Sequence, residues 1–201
     1  MWYICIARKT MDTKQISAAD ALERLKEGNR IYIGARNGAG DVSPEKRQEA
    51  SRNGQHPYAV VVSCADSRVI PESIFSAGIG EIFVIRVAGN VIGDFQLGSV
   101  EYAVEHLGAA LVVVMGHTGC GAVGAAMEES GGHVRLITDE IRRAIGSERD
   151  VRRAEILNVH GGVRKIRETL GRSLPGMTVR GALYHTDTGA VDFLDDTPGG
   201  L

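Results

Sequence analysis

Cysteine is scarce in this chain: Cys5, Cys64 and Cys120 are the only three among 201 residues. So low and odd a count argues against a disulfide framework and for a reducing compartment. Aromatic residues make up 5% of the sequence, which does not suit an aromatic binding cage. No apolar run approaches the roughly 18 residues that a membrane span needs. The N-terminal Trp2-Tyr3-Ile4-Cys5-Ile6 is too short for the apolar core of a signal peptide and has no basic residue before it. Nor is there a strong charge of either sign. The formal net charge is −2, so no bulk electrostatic case exists for a nucleic-acid partner. These absences describe a cytoplasmic protein with neither nucleic acid nor membrane as its partner. Met11 offers an alternative start, which would leave residues 1–10 as an appendage.

What the chain does hold is apolar residues, at 43%, and 26 glycines. At 201 residues it is long enough for one domain with a sizeable core. Ser17-Ala18-Ala19-Asp20 reads as a capping box opening a helix that carries Ala21, Leu22 and Leu25. Ser43 followed by Pro44 offers a second helix start. Tyr58 to Ser63, Ile82 to Val87 and Leu111 to Met115 are short Val/Ile-rich runs that read as strands. Their near-continuous apolarity predicts a sheet covered on both faces, hence parallel.

Helical patterns lie between and after these runs. Leu97, Val100, Val104 and Leu107 recur at helical spacing over Phe95 to Leu107. Ile137, Ile141 and Ile145 mark a helix over Val134 to Ile145, and another covers Ala154 to Leu170. Val179 to Tyr184 and Ala190 to Leu194 read as a strand pair across a His-Thr-Asp-Thr-Gly turn, and the last seven residues as frayed. The prediction is an α/β fold with a mainly parallel central sheet flanked by helices. A single domain is expected, with an N-terminal helical arm over 1–54, a core over 55–126, and C-terminal helices and strands over 127–201.

Two strand ends carry the chemistry. Val60-Val61-Val62-Ser63 runs into Cys64-Ala65-Asp66-Ser67-Arg68, and Val112-Val113-Val114-Met115-Gly116 runs into His117-Thr118-Gly119-Cys120. Gly116, Gly119, Gly121 and Gly124 permit sharp turns and close packing there. In open parallel sheets, ligands collect at the carboxyl ends of strands. If the two strands are neighbours, Cys64, His117 and Cys120 share that edge. Two thiolates and an imidazole are donors that Zn²⁺ prefers, and three protein ligands leave a fourth position open, as in catalytic sites. Cys120 precedes a helical pattern, and a helix N-terminus favours thiolate over thiol. If the chain stays extended beyond Ser63, Cys64, Asp66 and Arg68 share one face. Arg68 can then pair with Asp66 and hold it ionised and off the metal. Two thiolates also cancel the metal charge, so bound water should be less acidic than on a three-histidine site, where its pKa is about 7.

Taken singly, each residue has a plainer explanation. A cysteine at a strand end is ordinarily a small buried hydrophobe, and a glycine-flanked histidine a turn residue. A Cys64–Cys120 disulfide does not suit a reducing compartment. A phosphatase or rhodanese loop would want an arginine six positions after the cysteine, where Ile70 stands. His56, His106, His133, His160 and His185 read as surface or capping residues, any one of which could relay protons. The joint pattern favours a zinc site.

Cys-Ala-Asp-Ser-Arg from Cys64, then Phe83-Val84-Ile85-Arg86-Val87-Ala88-Gly89-Asn90, then Ser99-Val100-Glu101-Tyr102-Ala103, then His117-Thr118-Gly119-Cys120-Gly121-Ala122 together resemble a β-class carbonic anhydrase. The resemblance is ordered and specific from about Gln55 to Ala126, and fainter beyond. It implies Zn²⁺ on Cys64, His117 and Cys120, an Asp66–Arg68 pair in the catalytic role, and Asp66 as a fourth ligand if the site closes. It implies reversible hydration of carbon dioxide to bicarbonate and a proton by a metal-bound hydroxide. Gln55, Phe83, Tyr102 and Gly121 match substrate-pocket positions, and a homodimer or higher homo-oligomer is expected. Val87 departs from the polar residue common after the arginine. Val61 stands where a subclass with a bicarbonate inhibition pocket has tryptophan, so that regulation is not expected. Two alternatives stay open: a hydrolase of CS₂ or COS on the same scaffold, and a non-catalytic zinc- or bicarbonate-binding module.

Overall fold

The computed structural model describes residues 16–34, 40–128 and 131–195. Cys5, Met11, residues 35–39 and the last six residues lie outside these segments, as do the expectations attached to them. Five strands form one sheet: β1 (Ala59–Ser63), β2 (Ile82–Arg86), β3 (Leu111–His117), β4 (Thr178–Tyr184) and β5 (Val191–Leu194). Their order is β2-β1-β3-β4-β5, parallel throughout except for the antiparallel β4–β5 pair. The helices are α1 (Ala18–Gly34), α2 (Pro44–Asn53), α3 (Pro71–Ile74), α4 (Asp94–Leu107), α5 (Gly121–Met127), α6 (Arg135–Ile145) and α7 (Val151–Leu170).

All five residues of β1 and all seven of β3 are buried. The period-2 alternation of a strand explains where each goes. Val61, Leu111, Val113 and Met115 pack with Ala21 and Leu25 of α1 and with Ile74 and Phe75. Val60, Val62, Val112 and Val114 pack on the other face against Val100 and Ala103 of α4 and Val159, Val163 and Ile166 of α7. Both faces are therefore dry, which is why these strands read as unbroken apolar runs rather than as alternation. Each fully buried valine or leucine is worth about 1.5–3 kcal/mol in removal from water, so the two central strands anchor the fold.

The helix starts follow the sequence with two adjustments, one being that α7 begins at Val151 rather than Ala154, because Asp150 caps it by accepting Arg153 N–H at 2.8 Å. Ser43 accepts from Lys46 N–H and Pro44 occupies the first helical position, as expected. At α1, Ser17 Oγ accepts from Asp20 N–H at 3.1 Å, but the Asp20 carboxylate takes the Ser17 hydroxyl rather than its backbone N–H. Aspartate is one methylene shorter than the glutamate of a full capping box. β3 also runs two residues beyond Met115, because Gly116 and His117 pair with Leu183 and Tyr184 of β4. No helix among the described residues is long and apolar enough to cross a membrane.

Candidate metal centre

β1 and β3 are hydrogen-bonded neighbours, so their carboxyl ends deliver Cys64 and His117 to one edge of the sheet. Cys120 follows three residues later as the N-cap of α5. Gly119 between them has φ +68°, a left-handed turn that glycine adopts without strain. Gly116 has a different reason: a Cβ there would stand 2.6 Å from Val159 Cγ2, so only glycine lets α7 approach β3. A satellite core of Val123, Ala126, Ile141, Ile145 and Ala154, from α5, α6 and α7, backs the two cysteines.

The ligand atoms of Cys64, His117 and Cys120 lie within 4.8 Å of one another, and all three residues are buried. His117 Nδ1 sits 3.1 Å from the carbonyl of Thr118, which fixes that nitrogen as the N–H donor. Its Nε2 therefore presents a lone pair, and it is buried with no hydrogen-bond partner. Thr118 is itself clamped. Its hydroxyl lies 2.9 Å from that of Thr186 and accepts from Thr186 N–H at 3.0 Å. A buried imidazole lone pair facing two sulfurs is a donor set that suits a divalent metal of intermediate softness. The residues fit a metal.

The sulfurs are not equivalent. Cys64 Sγ accepts the N–H groups of Gly89 at 3.2 Å and Asp66 at 3.4 Å. With the hydrogen bond from the Cys120 thiol as the largest cause, its pKa is pulled down to about 4, against the opposing effect of burial. Cys120 is pushed up, because it donates to Cys64 and is buried. The sequence expects the helix N-terminus to favour thiolate at Cys120. The N–H groups of Val123 and Ala122 do act in that direction, but the hydrogen bond to the neighbouring sulfur outweighs them.

The chain does not stay extended after Ser63. Val69 N–H bonds to the Asp66 carbonyl at 3.0 Å, closing a turn over Asp66–Val69. The Asp66 side chain caps it by accepting Arg68 N–H at 2.9 Å, as short carboxylates do in turns. Asp66 and Arg68 are brought together by this turn, not by strand alternation. Arg68 Nε reaches Asp66 Oδ1 at 3.0 Å and Nη2 reaches Oδ2 at 2.8 Å, a two-point pair. Nη2 also holds the Gly119 carbonyl at 3.1 Å, tying the first motif to the second. The Arg68 hydrogen bonds hold the Asp66 carboxyl well below the usual carboxylate range. Asp66 Oδ2 lies 3.9 Å from His117 Nε2, which places the carboxylate at the edge of the three-ligand cluster. Arg86 braces the same segment through the carbonyls of Cys64 and Asp66.

Gly121 is the first residue of α5, directly after Cys120. Gln55, Phe83 and Tyr102 are elsewhere. Phe83 is in register with Val60, four residues before Cys64, or about 13 Å away at about 3.3 Å per residue. The Tyr102 ring lies 6.2 Å from that of Phe83, and Gln55 lies beside Gly80, ahead of β2. Within one chain these three are not brought to the cysteines.

Glu155 and Asn158 of α7 are additional polar residues behind the site that the sequence reading passed over. Both sit within the apolar stripe of Ala154, Val159 and Val163, and a carboxylate and an amide interrupting such a stripe is the signal that could have found them.

Residues 59–191 match the family model described as carbonic anhydrase. Carbonic anhydrase 2 of Mycobacterium tuberculosis is 42% identical over 131 residues, which span 62% of this chain and 63% of that protein. The chain thus covers a little under two thirds of that relative's length. A carbonic anhydrase of Mycolicibacterium smegmatis is 35% identical over 188 residues, spanning 86% of this chain and 91% of the relative. Among solved structures, the β-carbonic anhydrase CafA of Aspergillus fumigatus superposes with a TM-score of 0.66 at 28% identity. That superposition covers 76% of this chain and 87% of the other.

Proposed function

The chain belongs to the β-class carbonic anhydrases, and from that premise we propose that it catalyses the reversible hydration of carbon dioxide to bicarbonate and a proton, with Zn²⁺ held by Cys64, His117 and Cys120. The observation that carries this reading is the buried, unpartnered Nε2 of His117 facing both sulfurs beneath an Arg68-held carboxylate. When bound, Zn²⁺ supplies a Lewis acid that makes water acidic enough to serve as a nucleophile.

The chain's own residues orient the reaction. Arg68 keeps Asp66 ionised, so Asp66 Oδ2 accepts a hydrogen bond from the attacking water and turns its lone pair towards carbon dioxide. Because both carboxylate oxygens are engaged by Arg68, Asp66 is also kept from swinging onto the fourth position. The Gly121 N–H, at the first turn of α5, donates to the oxygens that gain charge as bicarbonate forms. Phe83 and Tyr102 cannot wall this pocket from within the same chain. We assign them to the pocket of a second copy, with Gln55, in a homodimer or larger assembly. Tyr102 is 48% exposed and Phe95, on the same helix, 90% exposed, which leaves an apolar face of α4 for that copy to cover.

Metal analysis combined with stopped-flow carbon dioxide hydration across pH tests the reading. Stoichiometric zinc with turnover that grows towards alkaline pH is the expected result. Stoichiometric zinc without hydration at any pH up to about 9, the pKa of water on aqueous Zn²⁺, would leave only a binding module closed by Asp66. Parallel assays on CS₂ and COS separate a hydrolase from a hydratase.

A further inference from the structure

α7 carries two buried polar side chains one turn apart, Glu155 at 3% and Asn158 at 5% exposure. Glu155 Oε1 accepts the backbone N–H of Cys120 at 3.1 Å. Its other oxygen has Arg152 Nε at 3.8 Å, too far for a hydrogen bond. Asn158 Nδ2 donates to the Gly89 carbonyl at 2.8 Å, and Gly89 N–H in turn donates to Cys64 Sγ at 3.2 Å. Gly89 has φ +67°, and a Cβ on it would meet Ile141 Cδ1 at 2.7 Å, so neighbouring α6 restrains it as well. One face of one helix thus reaches both cysteines by different routes.

We infer that Glu155 and Asn158 are positioning residues that set both thiolate ligands from behind, so that α7 determines how tightly the centre holds its metal. The inference rests on the metal-centre reading above. Asn158 acts on the sulfur of Cys64. By tethering Gly89 it keeps an N–H aimed at that sulfur, which stabilises thiolate charge and restrains its direction. Glu155 acts on the backbone of Cys120. It anchors the loop between His117 and α5 by accepting the Cys120 N–H. Groups that orient ligands in this way commonly govern metal affinity as strongly as a ligand's own geometry.

The test uses the full chain and four variants: Asn158→Leu, Asn158→Asp, Glu155→Leu and Glu155→Gln. Zn²⁺ affinity is measured by competition with a chromophoric chelator, and sulfur-to-metal charge-transfer absorption is recorded after loading with Co²⁺. Asn158→Leu and Glu155→Leu should weaken Zn²⁺ binding about 10- to 100-fold, while Glu155→Gln, which keeps an acceptor, stays within about 3-fold. Both Asn158 variants should shift the Co²⁺ charge-transfer bands, because Gly89 N–H loses its alignment on Cys64. Asn158→Asp keeps the side-chain volume, so it reads the lost donor even if the leucine variant does not fold. Wild-type affinity and unshifted bands in Asn158→Asp and Glu155→Leu would overturn the inference. So would equal losses in Glu155→Gln and Glu155→Leu. Failure of the unaltered chain to bind Zn²⁺ would instead overturn the metal-centre reading itself.

Discussion

On the proposed function, roles divide within five residues: Cys64 is a metal ligand, Asp66 orients the attacking water, and Arg68 keeps Asp66 ionised through its two-point pair. Two substitutions separate these roles. Cys64→Ser should lose most bound zinc in metal analysis, because a hydroxyl is a far weaker ligand than a thiolate. Asp66→Asn should keep zinc and lower hydration by about 10-fold or more, since the amide offers the attacking water a poorer acceptor. Unchanged turnover there would remove Asp66 from the mechanism. Away from the site, burial pushes the Tyr58 phenol up to about 12, although Arg24, with its guanidinium 4.2 Å above the ring, acts in the other direction. An unfolded tyrosine ionises near 10, so the raised folded value contributes stability that is fully present below about pH 10. That contribution is lost as pH rises through about 12. Urea unfolding between these limits should therefore show falling stability, and Tyr58→Phe should flatten the fall.

At the scale of elements, the period-2 and helical patterns were enough to locate the strands and most helices, because burial on both faces of a sheet leaves a plain mark in composition. Less legible was what holds α1 down. Asn29 Nδ2 donates to the carbonyls of Ile74 and Gly189, and its Oδ1 accepts Val191 N–H at 3.0 Å. One amide so joins α1 to α3 and to the β4–β5 turn, segments up to 162 positions apart in the chain. Gly28, one residue before, lets the helix come that close: a Cβ there would stand 1.9 Å from the Phe75 carbonyl oxygen. Gly28→Ala should cost about 1–3 kcal/mol in urea unfolding by forcing α1 away from α3. Its zinc content should not change, because the metal edge is built by other elements.

For the whole molecule, the proposed function makes assembly part of the chemistry, because Phe83 and Tyr102 stand away from the metal edge of their own chain. Sedimentation velocity should show a dimer or larger species. A Cys64→Ser chain and a Phe83→Ala/Tyr102→Ala chain should each be nearly inactive yet recover hydration when refolded together, since the mixed dimer holds one complete pocket. No recovery despite mixed dimers would place the pocket wall elsewhere. The sequence by itself determined the α/β architecture and the trio Cys64, His117 and Cys120, because donor chemistry at strand ends is a local property. The Asp66–Arg68 pairing was legible too, though a turn rather than an extended strand produces it. Only the tertiary structure decided that Thr186, Gly89, Glu155 and Asn158 stand behind the ligands. Those relations depend on which distant backbone groups face one another across β4 and α7, and no local pattern of residues encodes that.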